Sequence, residues 1–364
     1  MRANCNFAGG ADCTVTSFER KGRHMEDRFG RKIEYVRVSV TDRCNLRCIY
    51  CMPKDGVASV PHGEILTFDE IERFCRAAAE LGISTVKLTG GEPLVRRDLP
   101  VLVGKLKQTA GVEQVTLTTN GTLLKEQIQE LAAAGLDAVN ISLDTLDEDR
   151  YRQITRGGSL QRALEGIDAA LACPGLPVKI NCVPLKDASD EDLLQLAELS
   201  KDCSLDVRFI EMMPIGLGKL SAGRSGAAVK AALEERYGAA QPYEKRLGNG
   251  PAEYVKFPGF RGRIGFIRAV SHKFCCTCNR IRLTPEGMLK PCLQYGGGTD
   301  IKALLRGGAP DAQIAGAIRE AVMNKPACHR FGEAGAGQAE NGPAYGGCAE
   351  NIKLEEKEMN RIGG

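Results

Sequence analysis

The sequence predicts an α/β protein built on an open, partial (β/α)6 barrel, TIM-like in plan, with a smaller C-terminal region. Two observations carry this. Six apolar, β-branched runs alternate with segments of helical period up to about residue 240. The residues with chemistry to offer fall just after those runs, where ligands gather in parallel α/β sheets. Six strand–helix units in series call for a parallel sheet with right-handed crossovers, whereas a full barrel needs eight.

Strands are expected over Ile33–Val40, Thr85–Leu88, Val115–Thr118, Ala138–Leu143, Val178–Val183 and Val207–Met213. Helices are expected over Phe68–Leu81, Leu99–Thr109, Lys125–Ala134, Leu160–Ala172, Glu191–Lys201 and Val229–Tyr237. Thr67 and Glu70 form a capping box, Ser189 is a cap for the fifth helix, and Gly82 and Gly135 stand at left-handed C′ positions. Past residue 240 the alternation stops. Short strands are expected at Glu253–Phe257 and Gly265–Val270, then a cysteine-rich loop and mixed helix to about Asn324. The domains read as an N-terminal extension (1–30), the barrel (31–240) and a C-terminal region (241–364) with a Gly-rich loop at 332–347.

Composition narrows the function. A net charge of +3 gives no global field for nucleic acid or membrane, so neither partner is expected. No apolar run is long enough to span a bilayer, and the first 30 residues lack the apolar core of an export signal, which makes the cytoplasm the expected location. Fifteen cysteines in a reducing compartment read better as metal ligands than as disulfides. Only four histidines are present, scattered along the chain, so thiolate is the available soft ligand.

Cys44, Cys48 and Cys51 lie in one short loop after the first strand. A structural zinc site wants four ligands, whereas three thiols on a [4Fe–4S] cluster leave one iron open to a substrate. Incidental cysteines, or zinc with a distant fourth ligand, are the competing readings. A second set follows at Cys275, Cys278 and Cys292, with Arg280 and Arg282 immediately after the C-x-x-C pair. Cys276 reads as a spare, and a zinc half-site is the competing reading here.

The spacing C-x-x-x-C-x-x-C, with Tyr50 before the last cysteine, resembles the signature of the radical S-adenosylmethionine superfamily. That resemblance implies an open iron that chelates the methionine end of S-adenosylmethionine and reduces it to a 5′-deoxyadenosyl radical. Gly90-Gly91-Glu92-Pro93 resembles the family's glycine-rich segment. Tyr50, Gly91, Thr118, Ser142 and Met213 are the implied cosubstrate contacts, with Arg208 near them.

Within the superfamily the chain resembles the GTP 3′,8-cyclases of molybdenum-cofactor biosynthesis. The likeness runs over Ser39–Cys44, Thr89–Leu94, Leu117–Gly121, Asn140–Asp144, Arg208–Glu211 and the second cysteine set. It implies two [4Fe–4S] clusters, the second binding guanine, with Arg37, Lys87, Lys179, Arg280 and Arg282 as GTP-binding cations. Lys87 stands where many relatives carry Arg. Independently, Arg37 and Lys179 lie among apolar neighbours in their strands, and charges on an inner sheet face need a partner or a ligand. The resemblance also implies that the Gly363-Gly364 end threads into the active site.

The implied reaction takes hydrogen from C3′ of GTP and joins C3′ to C8. Implied partners are a homodimeric second copy, a flavodoxin- or ferredoxin-type reductant and a downstream cyclic pyranopterin monophosphate synthase. Alternatives are a radical peptide or protein maturase with an auxiliary cluster, and an iron–sulfur electron carrier or redox sensor.

Overall fold

The computed structural model describes residues 24–245, 247–331 and 354–362. Most of the N-terminal extension, the Gly-rich loop at 332–347 and Gly363-Gly364 lie outside the described residues.

A short ribbon comes first, β1 (Met25–Glu26) antiparallel to β2 (Lys32–Ile33). The alternating body follows as β3 (Tyr35–Ser39), α1 (Phe68–Glu80), β4 (Thr85–Thr89), α2 (Leu99–Gln108), β5 (Gln114–Thr119), α3 (Leu124–Ala133) and β6 (Ala138–Ser142). It continues through α4 (Glu148–Thr155), α5 (Leu160–Leu171), β7 (Val178–Cys182), α6 (Asp190–Asp202), β8 (Asp206–Ile210) and α7 (Gly226–Tyr237). Beyond it lie β9 (Gln241–Pro242), β10 (Glu253–Lys256), β11 (Ile264–Ile267), β12 (Arg280–Leu283), β13 (Met288–Lys290) and β14 (Thr299–Asp300). The helices α8 (Ile301–Arg306), α9 (Asp311–Met323) and α10 (Met359–Ile362) complete the described chain.

β3 to β8 pair in parallel in sequence order, as the alternation requires. The C-terminal region extends this same sheet. β12 adds in parallel beside β3, and β11 adds in parallel beside β8. Eight parallel strands therefore stand side by side, but β11 and β12 do not pair with each other. The barrel stays open at that seam.

The end signals explain the helices. Thr67 Oγ1 accepts from the Glu70 amide at 3.1 Å while Glu70 Oε2 accepts from the Thr67 amide at 2.7 Å. Ser189 and Asp192 form a second capping box, and Gly82 and Gly135 take φ of +88° and +97°. Alternation places Val86 and Leu88 under the helices and turns Thr85, Lys87 and Thr89 inward. The helices close over that outer face with Ile71 and Phe74 of α1 and Leu102, Val103 and Leu106 of α2.

Beyond the alternating body, β12, β13 and β14 stand where a cysteine-rich loop and mixed helix were expected, and three details within the body differ from expectation. The run Ile33–Val40 is broken at Glu34 into β2 and β3. The run Val207–Met213 stops at Ile210, because the Glu211 carboxylate collects the amides of Val270, Ser271 and Gly226 and turns the chain. α4 was not expected: its sequence, Glu-Asp-Arg-Tyr-Arg-Gln-Ile-Thr, offers only Tyr151, Ile154 and Thr155 to the interior and relies on the Asp147 cap. Among the described residues no helix is long and apolar enough to cross a membrane.

The seat of β11 depends on a bare backbone. A Cβ at Gly262 would lie 1.7 Å from the Leu205 carbonyl oxygen, while one at Gly104 in α2 would meet nothing within 4 Å. Gly262→Ala should therefore destabilise by about 2 kcal/mol or more through overpacking. Gly104→Ala should stabilise by roughly 0.5–1 kcal/mol. Urea unfolding of the two variants checks both signs; equal midpoints would contradict this packing.

Candidate active site

The carboxyl ends of the strands hold the first cysteine loop by hydrogen bonds to successive neighbours. From β4, the Gly91 and Glu92 amides donate to the carbonyls of Thr41 and Arg43, each at 2.8 Å. From β5, Asn120 Nδ2 donates to Asn45 Oδ1 at 2.9 Å. From β6, Asp144 Oδ2 accepts from the Tyr50 hydroxyl at 2.7 Å. Glycine is required at 91 because a Cβ there would lie 2.4 Å from the Arg43 carbonyl oxygen. The close approach that demands glycine is thus to the loop's own backbone.

Glu92 ties the strand ends together. Its buried carboxylate accepts from Thr119 Oγ1 at 2.7 Å and from the Asn120 and Leu94 amides at 2.7 and 3.0 Å. Burial pushes it up to about 7 despite these three donors. Burial likewise raises the Cys44 thiol to about 11 and the Cys51 thiol to about 12, and lifts Cys48 well above the ordinary range.

The second cysteine set lies at the opposite end. Cys275 and Cys278 come just before β12, and Cys292 follows β13, which runs antiparallel to β12. Their place is therefore the amino end of the parallel strands, not the carboxyl end where ligands were expected to gather. The reason is topological: the chain leaves β11 at the carboxyl end and must return along the open seam to start β12. A five-residue strand such as β3 is about 17 Å long, which sets the scale of separation between the two sets.

Buried cations and amides hold this second loop. Arg31, paired with Asp27 at 2.6 Å, donates to the carbonyls of Cys275, Ala327 and Pro326. Lys325, 2% exposed, donates to the carbonyls of Arg280 at 2.9 Å and Pro291 at 2.6 Å. The His329 amide donates to Cys275 Sγ at 3.3 Å. Burial works to raise the Cys278 thiol, but the Lys325 and Arg280 cations outweigh it and bring it down to about 7.

Between the two ends runs one cavity of about 680 Å³. All six cysteines line it, as do Tyr50, Gly91, Thr118, Ser142 and Met213. So do the cations Arg37, Lys87, Lys179, Arg208, Arg280 and Arg282. The pairing registers Arg282 opposite Arg37, and Arg37 opposite Lys87, on three adjacent strands. Like charges placed directly opposite are destabilising, and burial aggravates this. Burial, together with Arg208, Arg37, Lys179 and Arg280, holds Lys87 well below the ordinary lysine range. Burial, with Arg37 and Arg280, lowers Arg282 to about 9.

Lys179 sits among polar groups. Its Nζ donates to the Leu247 carbonyl and the Tyr254 hydroxyl, both at 3.3 Å, and stands 4.0 Å from Asp206. Burial, then Arg208, bring it down to about 8. Arg208 donates to Asn140 Oδ1 at 2.8 Å, and its buried Nε finds no partner among the described residues. Arg280 Nε is orphaned in the same way. Two unsatisfied guanidinium donors in a cavity suit phosphate oxygens.

The residues also fit iron–sulfur ligation better than a single ion. Among the described residues no three His, Cys, Asp or Glu side chains converge on one metal-ion position. A cubane cluster takes each thiolate on a different iron, so its ligands spread around it. A cubane held by three thiolates keeps one iron open to a further ligand.

Comparison with known proteins agrees with this geometry. The family model "Radical SAM superfamily" matches residues 38–200, and "Molybdenum Cofactor Synthesis C" matches 205–331. A GTP 3′,8-cyclase of Pelotomaculum thermopropionicum is 47% identical over 84% of this chain and 95% of its own. One from Moorella thermoacetica is 46% identical over the same shares. This chain belongs to the GTP 3′,8-cyclase family. The family carries a [4Fe–4S] cluster and uses S-adenosylmethionine. Among solved structures, Streptococcus suis SuiB bound to S-adenosylmethionine shares the fold, with a TM-score of 0.52 and 17% identity over 79% of this chain and 68% of that one.

Within this cyclase-family fold, sequence reading missed several wall residues. Tyr35 and Asn140 lie two positions before Arg37 and Ser142, and Asn181 two after Lys179, so strand periodicity could have found them. Lys325, His329 and Asn360 carry no such signal; the C-terminal segments bring them in. Gly363 and Gly364 lie outside the described residues.

The lysines give a pH test. The ordinary lysine value is 10.5, and Lys179 falls to about 8. The cost of this shift to the fold is absent above the ordinary value, grows as pH falls from there to about 8 and is complete below it, and a bound anion relieves it. Binding of inorganic triphosphate at about pH 9 should take up protons, and the uptake should shrink in Lys179→Arg. Calorimetry in buffers of different ionisation enthalpy measures this; a buffer-independent heat would contradict it.

Proposed function

We propose that this chain cyclises GTP to (8S)-3′,8-cyclo-7,8-dihydroguanosine 5′-triphosphate, an early step of molybdopterin biosynthesis. One observation carries the reading: two three-thiol sets stand at opposite ends of a single cavity whose wall between them is lined with buried cations. Cys44, Cys48 and Cys51 would hold the cluster that binds and reduces S-adenosylmethionine. Cys275, Cys278 and Cys292 would hold a second, whose free position takes the guanine base. When bound, these groups supply the electron that yields the 5′-deoxyadenosyl radical and an anchor for the substrate.

The chain's own residues do the positioning. Tyr50, Gly91, Thr118, Ser142 and Met213 surround the cosubstrate, with Arg208 at its border. Arg37, Lys87, Lys179, Arg280 and Arg282 take the triphosphate, which neutralises the row of like charges. Holding GTP by both base and phosphates leaves the ribose between them, and such fixed geometry removes much of the entropic part of the barrier. Cosubstrate and GTP filling the cavity would displace water, which protects a radical from side reactions.

A peptide maturase has no need of this cationic interior, and an electron carrier has no need of the cavity. The domain reading, with the barrel ending near residue 240, the homodimer, the flavodoxin- or ferredoxin-type reductant, the cyclic pyranopterin monophosphate synthase downstream and the cytoplasmic location complete the proposal from the family likeness.

Anaerobic reconstitution followed by S-adenosylmethionine, dithionite and GTP should yield 5′-deoxyadenosine and a cyclised nucleotide together. Nucleotide-independent 5′-deoxyadenosine with no cyclised product would contradict the assignment. The reconstituted chain should hold about eight irons; about four would remove the second cluster. Arg280→Ala with Arg282→Ala should weaken GTP binding by about 100-fold or more, at roughly 1.5–3 kcal/mol per charge-assisted bond, with iron content unchanged. Equilibrium dialysis reads this, and intact affinity would exclude the pair.

A further inference from the structure

Asn360 lies outside every role assigned above. It is 2% exposed on α10 and lines the cavity beside the first cysteine loop. Its Nδ2 donates to the Asp42 carbonyl at 2.9 Å, two residues before Cys44. A carbonyl only accepts, so this bond fixes the amide and sends Oδ1 the other way. That oxygen is buried and accepts no hydrogen bond from any described residue. The Asn360 backbone amide stands near the Cys51 thiol, which places the residue beside the loop itself.

The segment bearing Asn360 is firmly seated. Glu355 forms a buried ion pair with Lys290, and its amide donates to the Gln294 carbonyl at 2.7 Å. Ile362 packs with Ile215, Leu293 and Phe331 in a small apolar cluster. A fixed, desolvated acceptor with no protein donor is unfavourable unless a ligand supplies one. The S-adenosylmethionine reading of the adjacent loop offers both N–H and O–H donors.

We propose that Asn360 Oδ1 is a cosubstrate-binding acceptor, taking a hydrogen bond from an N–H or O–H group of S-adenosylmethionine at the first cysteine loop. The proposal rests on the cosubstrate reading of that loop. Asn360→Ala removes both the acceptor and the Asp42 tether, whereas Asn360→Asp keeps an acceptor oxygen and loses the tether's donor. Equilibrium dialysis of the reconstituted full chain against labelled S-adenosylmethionine, and separately against GTP, distinguishes the two roles. Iron and sulfide content serves as the check on folding and cluster assembly.

At equal iron content, Asn360→Ala should weaken S-adenosylmethionine binding about tenfold or more, Asn360→Asp should stay within about threefold of wild type, and GTP affinity should not move. Unchanged binding in Asn360→Ala overturns the proposal. So does an Asn360→Asp variant as weak as Asn360→Ala, which would make the residue a tether only, or a loss confined to GTP. If the wild-type chain binds no S-adenosylmethionine, the reading of the loop fails, and that result is distinct from a variant effect.

Discussion

Arg282, Arg37 and Lys87 stand side by side on β12, β3 and β4 and face one cavity. Nothing in the hydrophobic economy of a barrel favours such a row; a sheet interior of this size would ordinarily fill with branched apolar side chains. The row exists because β12 returns to the edge of β3 in parallel. That return also carries the second cysteine set to the amino end of the strands. Topology, charge and metal ligands therefore have one cause. Burial and like neighbours disfavour the charge of Lys87 and Arg282, and a polyanion bound beside them would stabilise the folded state by mass action.

The two ends of the cavity are built differently. The first cysteine loop is held by hydrogen bonds to its neighbours' strand ends, through Gly91, Asn120 and Asp144, and to α4, whose Thr155 and Ile154 carbonyls accept from the Arg47 and Ile49 amides. The second is held by buried cations reaching backbone carbonyls, Arg31 from the N-terminal ribbon and Lys325 from the end of α9. Cations near Cys278 favour its thiolate, whereas burial and neighbouring acids at the first loop favour thiols until a metal arrives. The C-terminal segment touches both regions: Asn360 meets the Asp42 carbonyl, while the Glu355 amide meets the Gln294 carbonyl just past Cys292. Its Met359 and Asn360 line the cavity.

Much of this was legible in the sequence because it is local. A charge among apolar neighbours in an expected strand marked Arg37 and Lys179 as needing a partner or a ligand, and Thr67 with Glu70 announced a helix start that the hydrogen bonds reproduce. Strand ends shifted where a side chain captured the backbone, as Glu211 does. What was not legible is non-local. No period in the sequence pairs β11 with β8 or β12 with β3, so β11, expected only as a short strand, and β12, in an expected loop, were not placed in the parallel sheet. Lys325 and Asn360 lie in segments with no strand period, and tertiary contact brings them to the cavity. α4 was obscured by its charge, since Tyr151 and Ile154 are too few to show a helical stripe.

The central claim is that GTP lies with its ribose between a radical source at one end of the cavity and an anchor at the other. GTP carrying deuterium at C3′ tests it in one turnover. Mass spectrometry of the 5′-deoxyadenosine should find the deuterium there, with the C3′ label absent from the cyclised nucleotide. Unlabelled 5′-deoxyadenosine from the same reaction would show that the cavity presents some other hydrogen to the radical, and the account would fail.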